Sequence, residues 1–143
     1  MEIRAPKTTL EWELYYDLRF RVLREPWNQP RGSDRNDGDA SAQHFAVWEK
    51  GKPLAVARLD ETEEKGIVQV RFVAVESNQQ GRGLGKIIML EAEKVAKEQG
   101  KHRIILHARE NALEFYKRLG YSVVEQSYLL FDEIQHYLMG KEI

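Results

Sequence analysis

The stretch that most constrains the fold of this chain is Ile67 to Gly100, IVQVRFVAVESNQQGRGLGKIIMLEAEKVAKEQG. Its opening run turns apolar on both faces at Phe72, Val73, Ala74 and Val75, as a central strand buried from two sides must. Gly81, Gly83 and Gly85 then alternate with Arg82 and Leu84. Beyond them Leu84, Ile87, Ile88, Ala92, Val95 and Ala96 share one helical face and Glu93, Lys94, Lys97 and Glu98 the other, with Gly100 placed to stop the helix. A buried strand, a glycine turn and an amphipathic helix in this order specify an α/β domain.

The flanking segments extend that reading. A short strand near Ile3 precedes a helix that starts at a capping box, Thr8 with Glu11, presents Leu10, Leu14, Leu18 and Val22, and ends before Pro26. Arg24 to Ala42 is a long loop with two prolines, two glycines and little that is apolar, the kind of loop that is functional or disordered. HFAVWE and LAVARLDE, joined by KGKP, read as an antiparallel hairpin. HRIILHA is a further buried strand, and Ala112, Phe115, Tyr116 and Leu119, with Gly120 as stop, mark a last helix. YSVVEQSYLLF and IQHYLM close the chain as strands around a turn near Asp132 and Glu133. The expected fold is α/β (α+β), one mixed, mostly antiparallel sheet flanked by helices, with residues 1–143 as one domain.

Composition narrows the partners. A net charge of −1, with no block of like charges, predicts neither nucleic-acid nor membrane-surface binding. No apolar run has the length of a membrane span and the N-terminus lacks a signal-peptide layout, so the chain reads as cytoplasmic. The absence of cysteine removes disulfides, thiolate metal sites and a covalent cysteine intermediate; no metal site is expected.

Glycines at alternate positions allow backbone N–H groups to turn inward around a diphosphate, and the helix that follows adds the positive end of its dipole. Arg82 and Lys86 can add charge-assisted contacts. A closely packed structural turn would carry the same glycines. A P-loop is excluded because Gly85-Lys86 is followed by Ile87 rather than serine or threonine, and GxGxxG is missed because residue 86 is lysine.

The stretch QGRGLGK, with Gln80, Gly83 and Gly85 in the QxxGxG/A positions, resembles the acetyl-CoA loop of the GNAT superfamily of N-acetyltransferases. ENALEFYKRLGY, about one helix and one strand later, resembles the second signature of that family through Ala112, Phe115, Tyr116, Leu119, Gly120 and Tyr121. The resemblance implies a GNAT-like fold and acetyl-CoA as cosubstrate. Val73 and Val75 would lend backbone groups to the pantetheine arm, and Gln80, Gly81, Arg82, Gly83, Leu84, Gly85 and Lys86 would hold the pyrophosphate. Tyr116 falls where the family places a tyrosine beside the thioester sulfur; its alternative role is core packing. Many members carry asparagine seven residues before that tyrosine, where this chain has Arg109, a candidate phosphate ligand. A homodimer is compatible with the resemblance.

The implied reaction is direct attack by a primary amine of a small molecule or peptide on the thioester. A lysine-like amine, at a pKa of about 10.4, needs roughly 4 kcal/mol of help to be neutral near pH 7.4. The family glutamate that supplies this help corresponds to Gln69 here, which cannot act as a base. His44, His107, His136, Glu76 and Asp60 are substitutes by type, as are water relays. Asp34, Asp37 and Asp39 in the long loop can favour a cationic amine or simply face solvent, and Trp27 and Trp48 can line the cleft or fill the core. The rival readings are a non-catalytic acyl-CoA sensor, suggested by Gln69, and a plain interaction domain in which the glycine loop is a structural turn.

Overall fold

The computed structural model describes residues 1–143. Its elements are β1 (Glu2–Arg4), α1 (Thr9–Leu23), β2 (Gln43–Glu49), β3 (Lys52–Glu61), β4 (Ile67–Val75), α2 (Leu84–Glu98), β5 (Arg103–Arg109), α3 (Leu113–Arg118), β6 (Ser122–Leu130) and β7 (Ile134–Glu142). The strands form a seven-stranded sheet in the order β1-β2-β3-β4-β5-β7-β6. Every neighbouring pair is antiparallel except β4 with β5. The expected element order is the observed one, and no helix is long and apolar enough to cross a membrane.

Helices cover both faces. Leu84, Ile88, Met89, Ala92 and Ala96 of α2 pack with Leu59, Val70, Ile104 and Met139 of the sheet, and Tyr116 of α3 joins them. On the other face Tyr15, Leu18 and Leu23 of α1 meet Ala46, Trp48, Val56 and Ala74, so Trp48 belongs to the core. Helix α1 departs from the expected face: Leu10 is exposed, while Tyr15, Leu18, Arg19, Phe20 and Leu23 are buried. A fully buried arginine turns the helix away from its leucine stripe.

That arginine explains the long loop. Arg19 Nη1 donates to Asp39 Oδ1 at 2.8 Å and to the Asp34 carbonyl at 3.2 Å, and Arg58 Nη1 donates to Asn36 Oδ1 at 2.7 Å and to Asp39 Oδ1 at 3.1 Å. With short 3₁₀ turns at Glu25–Trp27 and Asp37–Ala40, residues 24–42 form an anchored wall. The expectation that Asp34 and Asp39 face an amine therefore gives way: Asp39 neutralises two buried guanidinium groups and Asp34 is buried, leaving Asp37 exposed.

The position of the site depends on the parallel pair. Strands β4 and β5 are in register only at Ile67, Val68 and Gln69 against Arg103, Ile104 and Ile105, and then diverge. On its other edge β4 pairs Val56 with Ala74 but Arg58 with Arg71, which inserts one extra residue into β4. Phe72 lies there with φ of 55°, strained for a bulky residue and characteristic of a bulge that bends its strand. Cations surround its ring, with Arg19 at 4.5 Å and Arg58 at 4.9 Å from its centre. The bend opens a V-shaped gap between two adjacent strands.

Candidate active site

The gap is a cleft of about 160 Å³ lined by β4 residues Gln69 to Val73, β5 residues Leu106 to Arg109, and side chains from α1, α3, β6 and β7. Its lower wall is an unpaired sheet edge. The Glu76 amide donates to the Leu54 carbonyl on the β3 side at 2.9 Å, so by strand alternation the backbone groups of Val75 and Val73 point the other way, along the free edge.

The edge leads to the N-terminus of α2. Gly83 caps that helix with φ of 76° and offers no side-chain acceptor; Gly81 has φ of 87°. The amides of residues 80–86 donate to no acceptor within the protein, while the Ile87 amide is the first to be paired, with the Gly83 carbonyl at 3.0 Å. Consecutive free donors at a positive helix end make an anion site. The three glycines differ in purpose. A Cβ added to Gly81 or Gly83 meets nothing within 4 Å but needs a left-handed backbone, whereas one on Gly85 stands 3.0 Å from Phe115 Cζ. Gly85 is thus the close helix–helix contact of the structural alternative, and Gly81 and Gly83 shape the loop. Arg82 is tethered to Gln79 and, at 3.5 Å, to Glu49. Gln80 and Lys86 are exposed.

Tyr116 stands on α3 at the other end of the free edge. Three tyrosines other than those on the surface are buried, Tyr15, Tyr116 and Tyr121. The Tyr15 hydroxyl lies 2.8 Å from His44 Nδ1 and 3.1 Å from the Ala57 carbonyl; that of Tyr121 donates to Glu93 at 2.9 Å. The Tyr116 hydroxyl has no protein partner and Tyr116 lines the cleft. Burial pushes its pKa up, with Arg109 pulling the other way, so the phenol stays protonated at neutral pH.

Five residues were candidates for a base, and the fold separates them. His44 has both ring nitrogens engaged, by Tyr15 and by the Asp39 carbonyl at 2.8 Å. Glu76 is paired bidentately with Arg21 at 2.8 and 2.9 Å, and Asp60 with Arg58. His107 and His136 line the cleft, with Gln69. His107 Nδ1 is 2.9 Å from Ser127 Oγ, and His136 Nδ1 is 3.0 Å from the Ile134 carbonyl. A carbonyl only accepts, so Nδ1 of His136 carries the proton and Nε2, which has no protein partner, presents a lone pair. Burial lowers the pKa of both imidazoles, assisted by Arg71 at His107 and by Arg109 and Arg24 at His136.

Arg109 is not brought to the α2 terminus. Its Nη2 donates to the Leu23 carbonyl at 3.0 Å, its guanidinium lies 4.6 Å over Trp27, and it lines the cleft. The sequence reading missed Arg24, Arg71 and Tyr128, which also line the cleft. Tyr128 stacks on His136 at 4.3 Å and 19°. Only the alternation of β6 hinted at Tyr128, and nothing local marked the arginines.

The model of the acetyltransferase (GNAT) family matches residues 12–121. The chain belongs to the GNAT acetyltransferase family. YjcF of Bacillus subtilis (strain 168), described as an uncharacterized N-acetyltransferase, is 28% identical over 125 residues, covering 87% of this chain and 88% of that protein. An acyl-CoA N-acyltransferase from Pseudomonas aeruginosa superposes with a TM-score of 0.83 at 25% identity, over 98% of this chain and 97% of its own. An aminoglycoside 6'-N-acetyltransferase crystallised with coenzyme A shares the fold, with a TM-score of 0.82 at 16% identity over 99% and 97% of the two chains. As a GNAT member the chain is an acyltransferase of the acetyl-CoA-using kind.

Proposed function

We propose that residues 1–143 form one N-acetyltransferase domain that moves the acetyl group of acetyl-CoA onto a primary amine of a small molecule or peptide by direct attack. The observation that carries this reading is the run of free amides at residues 80–86, joined by an unpaired β4 edge to a buried tyrosine with a free hydroxyl.

Gln80, Gly81, Arg82, Gly83, Leu84, Gly85 and Lys86 hold the diphosphate through backbone N–H groups, with the charge of Lys86 in support. Val73 and Val75 pair with the pantetheine amides as an added strand. When bound, acetyl-CoA supplies an activated acyl group that amine attack transfers, with release of the thiol. His136 Nε2 accepts a proton from the ammonium of the acceptor, directly or through one water. An imidazole held below its usual pKa is a weak base but is fully neutral at pH 7, so it is always in the accepting form. Tyr116 donates a hydrogen bond to the departing sulfur; complete proton transfer from a phenol, above about 10, to a thiolate near 8.5 is uphill, so its contribution is electrostatic.

An amine panel with acetyl-CoA tests the reading. Since the chain has no cysteine, a thiol reagent reports released CoA alone. Amine-dependent thiol release is expected. Tight CoA binding without turnover would instead identify a sensor, and no CoA binding would remove the diphosphate assignment.

A further inference from the structure

The cleft has an unusual charge composition. Arg24, Arg71 and Arg109, from three separate elements, line it, and no aspartate or glutamate does. Within the protein, Arg24 donates only to carbonyls, Nε to Ser33 at 3.1 Å and Nη1 to Leu23 at 3.0 Å, which leaves Nη2 free. Arg109 donates only Nη2, also to the Leu23 carbonyl, which leaves Nε and Nη1 free. Arg71 makes no hydrogen bond; its nearest acid is Asp60 at 3.9 Å, already bidentate with Arg58. Outside the lining, the buried Asp34 is the leading charge acting on Arg24 but makes no hydrogen bond to it, and Glu125 acts on His107. The mutual repulsion is visible at Arg109, whose pKa is lowered by burial and then by Arg24.

Partly buried guanidinium groups without a carboxylate are costly to maintain, and a ligand oxyanion offsets that cost. The free donors line the same cleft as Tyr116 and His136, whereas the free amides of α2, assigned above to the diphosphate, lie outside that lining. The arginines therefore face the acceptor.

We infer that the acceptor is a primary amine that also carries an oxyanion, a carboxylate or a phosphate, which Arg24, Arg71 and Arg109 recognise while the amine lies toward His136. The inference rests on the transferase reading and refines its substrate class. It reverses the expectation of a cationic acceptor drawn from the aspartates of the loop, and it disfavours polyamines and aminoglycosides, whose several positive charges would meet three arginines.

Matched pairs decide it: glutamate against glutamine α-amide, O-phosphoethanolamine against ethanolamine, and spermidine alone, all with acetyl-CoA and thiol detection. The expected result is a kcat/KM at least about tenfold higher for the anionic member of one or both pairs, falling as salt is raised, with spermidine poorest. Preference for the phosphate pair or for the carboxylate pair identifies the source of the oxyanion. Arg24→Gln and Arg109→Gln should each reduce the preference to about twofold and leave CoA affinity unchanged. Because both touch Leu23, Arg71→Gln is the companion variant; its side chain is 40% exposed and holds no internal hydrogen bond, so the fold should tolerate it while KM for the anionic acceptor rises about threefold. Equal or better turnover of the neutral or polycationic amines would overturn the inference and leave the transferase reading intact. If no amine is turned over, that reading falls, and calorimetry on the CoA-loaded protein still decides: saturable binding of O-phosphoethanolamine or glutamate, lost in Arg24→Gln, supports the anion site, and its absence overturns it.

Discussion

The two ends of the cleft are built in opposite ways. At the α2 end the proposed ligands are backbone amides from consecutive residues, whose side chains, apart from the buried Leu84, are absent or point to solvent. At the acceptor end every group is a side chain, and Arg24, Arg71, Arg109, Tyr116, Tyr128 and His136 come from different parts of the chain. A site made of local backbone survives most substitutions but fails when its dihedral angles are disturbed. A site made of distant side chains depends on everything that positions them.

The largest expected difference between the ends follows from Asp39. Asp39→Ala leaves Arg19 and Arg58 buried without their shared carboxylate, a loss of about 3–5 kcal/mol. Urea denaturation should report it, and protein that remains folded should bind CoA normally while acceptor KM rises. Weakened CoA binding in the folded fraction would mean that the ends are not independent.

Next in size is Tyr116→Phe. Turnover should fall about 100-fold, with CoA affinity unchanged. Since the hydroxyl bonds nothing in the protein, its removal should alter stability by less than about 1 kcal/mol. A stability loss with intact kcat would make Tyr116 a packing residue.

Gly83→Val acts on the other end. It forces a β-branched residue to φ of 76° and so distorts the loop that presents the free amides; CoA affinity should drop at least about tenfold, roughly 1.4 kcal/mol, with acceptor KM constant at saturating cosubstrate. Calorimetry that finds CoA affinity unchanged would remove the loop from the binding site.

The smallest effect is on pH-dependent stability. His44, His107 and His136 have folded pKa values below the unfolded value of about 6.5, all with burial as the main cause. In that window the unfolded chain binds more protons, so stability is greatest above about pH 6.5 and declines as pH falls through the folded values. Melting temperatures between pH 7.5 and 5 should decrease, less so in His44→Asn at its own lower baseline. A flat profile would contradict the neutral, buried imidazoles on which the role of His136 depends.

The same contrast explains what could be read in advance. The β4–loop–α2 unit was legible because strand period, glycine spacing and helix period are local properties of consecutive residues. Leu10 is exposed against expectation because a helix face chosen by apolar count ignores the buried ion network in which Asp39 joins Arg19 to Arg58, 20 and 39 residues beyond Arg19. The bulge at Phe72 had no sequence mark either, since a phenylalanine at positive φ is held by arginines from other segments.

By itself the sequence determined the order of the elements, the strand that ends in a glycine turn, and the pair of motifs that place Tyr116 behind it. Only the tertiary structure decided which of the five candidate bases line the cleft, His107 and His136, and that Arg109 lines it beside Arg24 and Arg71. The physical reason is range: backbone geometry is encoded within a turn or two of chain, whereas the charge of a cleft is a sum over segments that meet only when the sheet has splayed.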